Sequence, residues 1–229
     1  MSKMKEKPIS YLGMAILAFL FLGLEVLVLF VESLAYGTMD FEVMIEAHGA
    51  SVMLIHWGAT CVAWGAGVFG LYSLAKRQGY NVFENKSRAP LKNWIIVLAL
   101  LIAAVIGQIL FWDMRFKPLA EFLYTRNMYG NLAVIMFIGQ YIYYVFEVSL
   151  FVSIIVYGQK FGELVLKKDN IPWGGILCGL LWGLAHIFTK DLSTGVYLAA
   201  CSVAYGLVYL LLQKNVKPTY IVLFLMFVL

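Results

Sequence analysis

Residues 93–112 read NWIIVLALLIAAVIGQILFW, from Asn93 to Trp112, with no charged side chain. As an α-helix this stretch rises ~1.5 Å per residue and so reaches ~30 Å, the thickness of a bilayer's hydrocarbon core. Nothing in it alternates with period two, and it is longer than a buried strand. It is read as a membrane-spanning helix.

Moving outward from it, further runs of the same kind appear. They cover about Ser10–Val31, Ala50–Ala75, Leu132–Tyr157, Ile171–Phe188 and Ser193–Leu212. A last run, Tyr220–Leu229, is too short to cross. It is expected to be a half-helix or a span cut short. Lys3, Lys5 and Lys7 before the first run resemble the start of a signal peptide. The run is longer than a signal's apolar region and no small-x-small cleavage site follows, so it is read as a retained helix.

The expected fold is therefore all-α: a polytopic transmembrane bundle of about seven helices in a single domain, residues 1–229. Composition agrees, with 62% hydrophobic residues, 13% charged residues and a mean hydropathy of +0.85. A soluble globule of 229 residues has too much surface to hide so much apolar material. No basic stripe with interleaved aromatics is present, so nucleic acid is not expected as a partner. Membrane lipid is.

Lys and Arg set an orientation. Thirteen lie at the N-terminus and in the second, fourth and sixth connections, from Lys3 to Lys217. Four lie on the other side: Arg115, Lys117, Arg126 and Lys190. The positive-inside rule then puts the N-terminus in the cytoplasm, and the plasma membrane of a bacterium or archaeon is the expected location. The segment Arg115–Asn131 is read as a long outer loop with room for a short surface helix.

Ionisable and polar groups inside spans are costly and mark function by default. Glu25, His56, Gln108, Glu147 and His186 qualify, one on each of five helices. Rise per residue places them in the middle to outer half of the core, as one polar layer. Glu32 shares a face with Glu25, seven residues on, and is read as a solvated interfacial charge. Gly175, Gly179 and Gly183 recur every four residues. They form a flat stripe that lets a neighbouring backbone come close, with His186 continuing that face into the bundle.

Cys61, Cys178 and Cys201 lie in apolar runs without paired spacing and read as small buried hydrophobes. No HExxH or similar metal spacing occurs, and neither a metal nor another cofactor is expected. The last run has no lysine for a retinal Schiff base. No inverted repeat is visible, which counts against a transporter, although Glu25, His56 and Glu147 could form a proton relay.

Glu147-Val148-Ser149-Leu150-Phe151-Val152 and Trp182-Gly183-Leu184-Ala185-His186 resemble the EExxxR and FxxxH motifs of the CPBP family, the CAAX-protease and bacteriocin-processing intramembrane endopeptidases. The likeness covers about residues 131–229. Val148 stands in place of the second Glu, Val152 in place of the Arg, and Trp182 in place of the Phe. The family's later His and Asn have no counterpart in Tyr220–Leu229. The resemblance implies a peptide or membrane-protein substrate, with Glu147 activating water and His186 assisting. The alternatives are a catalytically inactive relative that binds, confers immunity or regulates, and a small carrier using the Glu/His relay.

Overall fold

The computed structural model describes residues 7–111 and 114–229. Lys3, Lys5 and Trp112 lie outside them. Among the described residues every regular element is helical. Five helical stretches of the described residues are long and apolar enough to cross a membrane, as an integral membrane protein requires. The remaining two apolar segments, Trp173–Thr189 and Val216–Val228, are shorter helices, so the expectation of about seven spans reduces to five plus two short ones.

The first stretch is two helices, α1 (Pro8–Leu22) and α2 (Leu24–Tyr36), rather than one. The break at Gly23 has a visible cause. The Trp64 indole N–H takes the Leu22 carbonyl, at 3.3 Å, and a side chain inserted into the ladder bends a helix. Tyr11, Met14, Ala15 and Ala18 of α1 are buried, on the 3–4 residue spacing of one face. No residue of α2 is fully buried.

A short helix, α3 (Phe41–His48), follows, capped by the Asp40 carboxylate. Then come α4 (Ser51–Arg77) and α5 (Leu91–Phe111). The segment read as an outer loop with room for a short helix forms that helix, α6 (Lys117–Tyr129), started by Pro118 in its first turn.

The central element is α7 (Ala133–Leu166), whose 34 residues extend nine beyond the expected end at Tyr157. Val148, Leu150–Val152 and Ile154–Gln159 are buried on all sides, as in a helix surrounded by others. The extension holds because its polar groups find partners. Gln159 donates to the Ile171 carbonyl (2.9 Å) and accepts from the Gly174 N–H (3.1 Å), while Glu163 pairs with Lys214 at 2.6 Å.

The fifth run is built in three pieces: α8 (Trp173–Cys178), a π-helical turn at Gly179–Gly183, and α9 (Leu184–Thr189). α10 (Leu192–Leu211) and α11 (Val216–Val228) complete the bundle. The glycine stripe packs on α10. A Cβ on Gly175 would stand 2.8 Å from the Gly206 Cα, and one on Gly183 would stand 2.7 Å from the Ala199 Cα. The two backbones touch where glycine faces glycine.

Gly175→Leu is therefore expected to force α8 from α10 and destabilise the protein by ~1–3 kcal/mol, the usual range for overpacking. Thermal melting in detergent reads this. A melting temperature equal to wild type would mean that the contact is not made.

Candidate functional site

Glu147 lies on α7 one turn before the buried Phe151, whose ring stacks on Tyr205 and tilts against Trp182. That aromatic cluster fills the bundle below Glu147 and leaves an open volume beside it. The result is a cavity of about 950 Å³. His186 lines the same cavity, as do Glu25 and Gln108. At one end it is lined by Lys190, Asp191 and Ser193, which are exposed, so the cavity reaches the surface at the α9–α10 connection.

The His186 Nδ1–H donates to the Trp182 carbonyl one turn back, at 2.8 Å, and the two rings meet edge-on at 5.0 Å. In the neutral ring this tautomer leaves Nε2 as an acceptor. Glu147 sits within electrostatic reach of Lys117 and Glu25, and Trp182 lines the same cavity. It has no cation within ion-pair distance among the described residues.

Glu25 is tied more firmly. It accepts from the Tyr143 hydroxyl at 2.7 Å, and His56 Nε2 stands 3.6 Å away. His56 is 1% exposed and lies behind the cavity wall rather than on it. Its Nδ1 meets Glu32 at 2.7 Å.

This corrects the reading of Glu32 as a solvated charge. Its side chain is only 10% exposed and is held in an ion pair. The cause is a partner that arrives from another helix: α4 crosses α2 so that His56 falls between two carboxylates on one face.

Gln108 lines the cavity while donating to the Met226 carbonyl at 2.7 Å. Lys117 donates to the Phe227 carbonyl at 2.6 Å, over the Phe227 ring at 4.4 Å and the Tyr144 ring at 5.1 Å. An amide and a cation thus serve carbonyls at the C-terminal end of α11, where the helix dipole is negative. Gly175, Gly179 and Gly183 are absent from the cavity wall and act in packing.

Sequence reasoning missed Lys117, Glu121, Tyr143 and Tyr144, all of which line the cavity. A signal existed. Lys117-Pro118 is a helix start, and Lys117 and Glu121 are four apart on one face. The two tyrosines were hidden in an apolar run because their rings, not their hydroxyls, set the hydropathy. Among the described residues no group of three or more His, Cys, Asp or Glu could hold a metal ion.

At the open end, Asp191 caps α10. It accepts from the Thr194 N–H (2.8 Å), the Thr194 hydroxyl (2.7 Å) and the Ser193 hydroxyl. These bonds favour the ionised form and push the carboxyl down to about 2. The folded value lies below the ordinary ~3.9, so the cap's contribution is complete above about pH 4. It is lost as pH falls towards 2. Amide exchange at Thr194, corrected for the intrinsic rate, should quicken over that window and already be fast in Asp191→Ala. A flat profile from about pH 5 to 2 would count against this cap. Set against protein-family models, curated proteins and solved structures, the chain matches none.

Proposed function

We propose that this protein is an intramembrane hydrolase of the endopeptidase type, acting on a membrane-associated peptide or protein. The observation that carries the reading is the shared cavity: Glu147 and His186, from α7 and α9, face one volume with Lys117 on its wall. The likeness of residues 131–229 to the CPBP endopeptidases supports it.

The chemistry follows from the groups present. Glu147 takes a proton from water, and the water oxygen bonds to the peptide carbonyl carbon. His186 Nε2 accepts the water's second hydrogen and orients it. The carbonyl oxygen becomes an oxyanion. An ammonium has three donors, and the Phe227 carbonyl occupies one of those on Lys117, leaving charge for the oxyanion. The C–N bond then breaks, and Glu147 returns its proton to the leaving amine. Lys117 takes the part for which the terminal residues Tyr220–Leu229 offer no His or Asn.

By the Lys and Arg distribution the N-terminus is cytoplasmic, which puts the cavity's open end on the opposite side. The deciding experiment compares Glu147→Gln with wild type in a membrane-processing assay. Loss of cleavage with a melting temperature no lower than that of wild type is expected, and wild-type cleavage would remove the reading. Function that survives Glu147→Gln would instead mark a binding or regulatory relative.

A second reading has its own observation. Glu32, His56, Glu25 and Tyr143 form a polar row from α2 to the cavity, with one 3.6 Å step between His56 Nε2 and Glu25. Such a row suits a proton-coupled carrier. It requires that His56→Gln abolish pH-driven uptake into vesicles.

A further inference from the structure

A second cavity, of about 570 Å³, lies beside the first. Its walls are mostly apolar, with Phe41 and Ile45 of α3, Met53 and Trp57 of α4, and Ala120 and Met128 of α6, and Glu42 and Arg115 also line it. Lys117 and Glu121 line both cavities. They stand in a polar partition. The Gln140 amide, on the second cavity, donates to the Tyr144 hydroxyl at 2.6 Å, and Tyr144, on the first, donates to Glu121 Oε1 at 2.7 Å. The other carboxylate oxygen, Glu121 Oε2, is buried and without a hydrogen-bond partner.

A buried acceptor without a partner costs stability, roughly 1–3 kcal/mol, and such atoms mark places where a ligand completes the bonding. Here an open acceptor, Glu121 Oε2, and an ammonium donor, Lys117, share one helix face four residues apart. Together they complement a backbone amide, whose N–H meets the carboxylate and whose carbonyl meets the ammonium. A lipid tail needs neither group. The compartment beyond is shaped by aromatic rings and two methionines, and methionine adapts to varied apolar shapes.

We infer that the two cavities form one bipartite peptide site, in which the second compartment holds a large apolar side chain of the substrate while a neighbouring peptide bond faces Glu147. This rests on the endopeptidase reading and adds the specificity to it. The substrate runs across α6 with its backbone at Lys117 and Glu121. Its apolar side chain packs between Trp57 and Met128. Glycine at that position leaves the compartment empty and is selected against.

The test uses the full chain in liposomes and a membrane-inserting peptide of alanines carrying one photo-leucine. Adducts are mapped by mass spectrometry. Labelling is expected on Met53, Trp57 or Met128. It should fall about tenfold or more in Ala120→Trp and in Met128→Trp, each of which fills the compartment, because rejecting an apolar group of this size costs at least that factor. Glu147→Gln should leave the adducts unchanged, so a failure of catalysis and a failure of this site read differently. Two variants guard against one that does not fold. Adducts spread over outward-facing residues such as Val62 and Leu110, which are 74% and 62% exposed, would overturn the proposal. So would labelling unchanged in both filled variants, or a photoreactive fatty acid that displaces the peptide from these residues.

Discussion

Glu147→Gln should slow processing by about 10²–10⁴-fold, the range that a positioned general base contributes. Glutamine keeps the length and planarity of the side chain. It fills the same place on the wall that Glu147 shares with Trp182, so the shape of the cavity is preserved. What it loses is the lone pair basic enough to take a proton from water. Folding is expected to be unaffected or improved, since a carboxylate without an ion-pair partner in a low-dielectric site is itself costly. Glu147→Asp is the sharper control. It keeps the base but draws it back by one methylene, so activity should be reduced and not abolished. Equal losses in both variants would point to a disturbed cavity rather than a missing base.

His56→Leu should destabilise the protein by about 3 kcal/mol, because removing one member of the buried His56–Glu32 pair strands the other. His56 is buried, Glu32 nearly so, and both ring nitrogens face carboxylates. Leucine fills the space against the Phe41 ring, which packs on His56 at 4.7 Å, but offers neither carboxylate a partner. α2 carries no fully buried residue of its own, so its attachment to α4 depends heavily on this contact. The double change His56→Leu, Glu32→Leu should recover much of the loss. A thermal-denaturation cycle over the four proteins measures the coupling. Strictly additive effects would show that His56 and Glu32 do not act as a pair.

The spans were legible because run length and hydropathy are local quantities. Glu147 and His186 were legible for a related reason: an ionisable side chain stands out against an apolar background. What remained hidden depends on which helices meet. The seven-residue spacing of Glu25 and Glu32 put them on one face, but nothing in α2 announces that α4 will bring a histidine between them. Glu32 looked solvated because it sits at the end of its apolar run. A short helix was expected in the segment that holds Lys117 and Glu121, but that their face would line the cavity depends on how this helix packs on α7. The end of α7 was set too early. Gln159 and Glu163 look like the edge of a span, yet they are satisfied by Ile171, Gly174 and Lys214 in space. The break at Gly23 needed Trp64, which reaches Leu22 from forty-two residues away in sequence.

The π-helical turn at Gly179–Gly183 bears on how this chain should be aligned with any other. A π turn accommodates one residue more than the α-helical path it interrupts, and such bulges recur at functional sites. A relative without the bulge would carry the same histidine one position earlier along its chain. Removing the extra residue from 179–183 would restore the α-helical path and keep the histidine on the cavity wall, whereas the same deletion from a regular α-helix would turn everything after it by about 100°. Ungapped matching across this segment therefore pairs residues that do not share a place in the fold. The spacing from Trp182 to His186 is best compared only after that extra residue is allowed for.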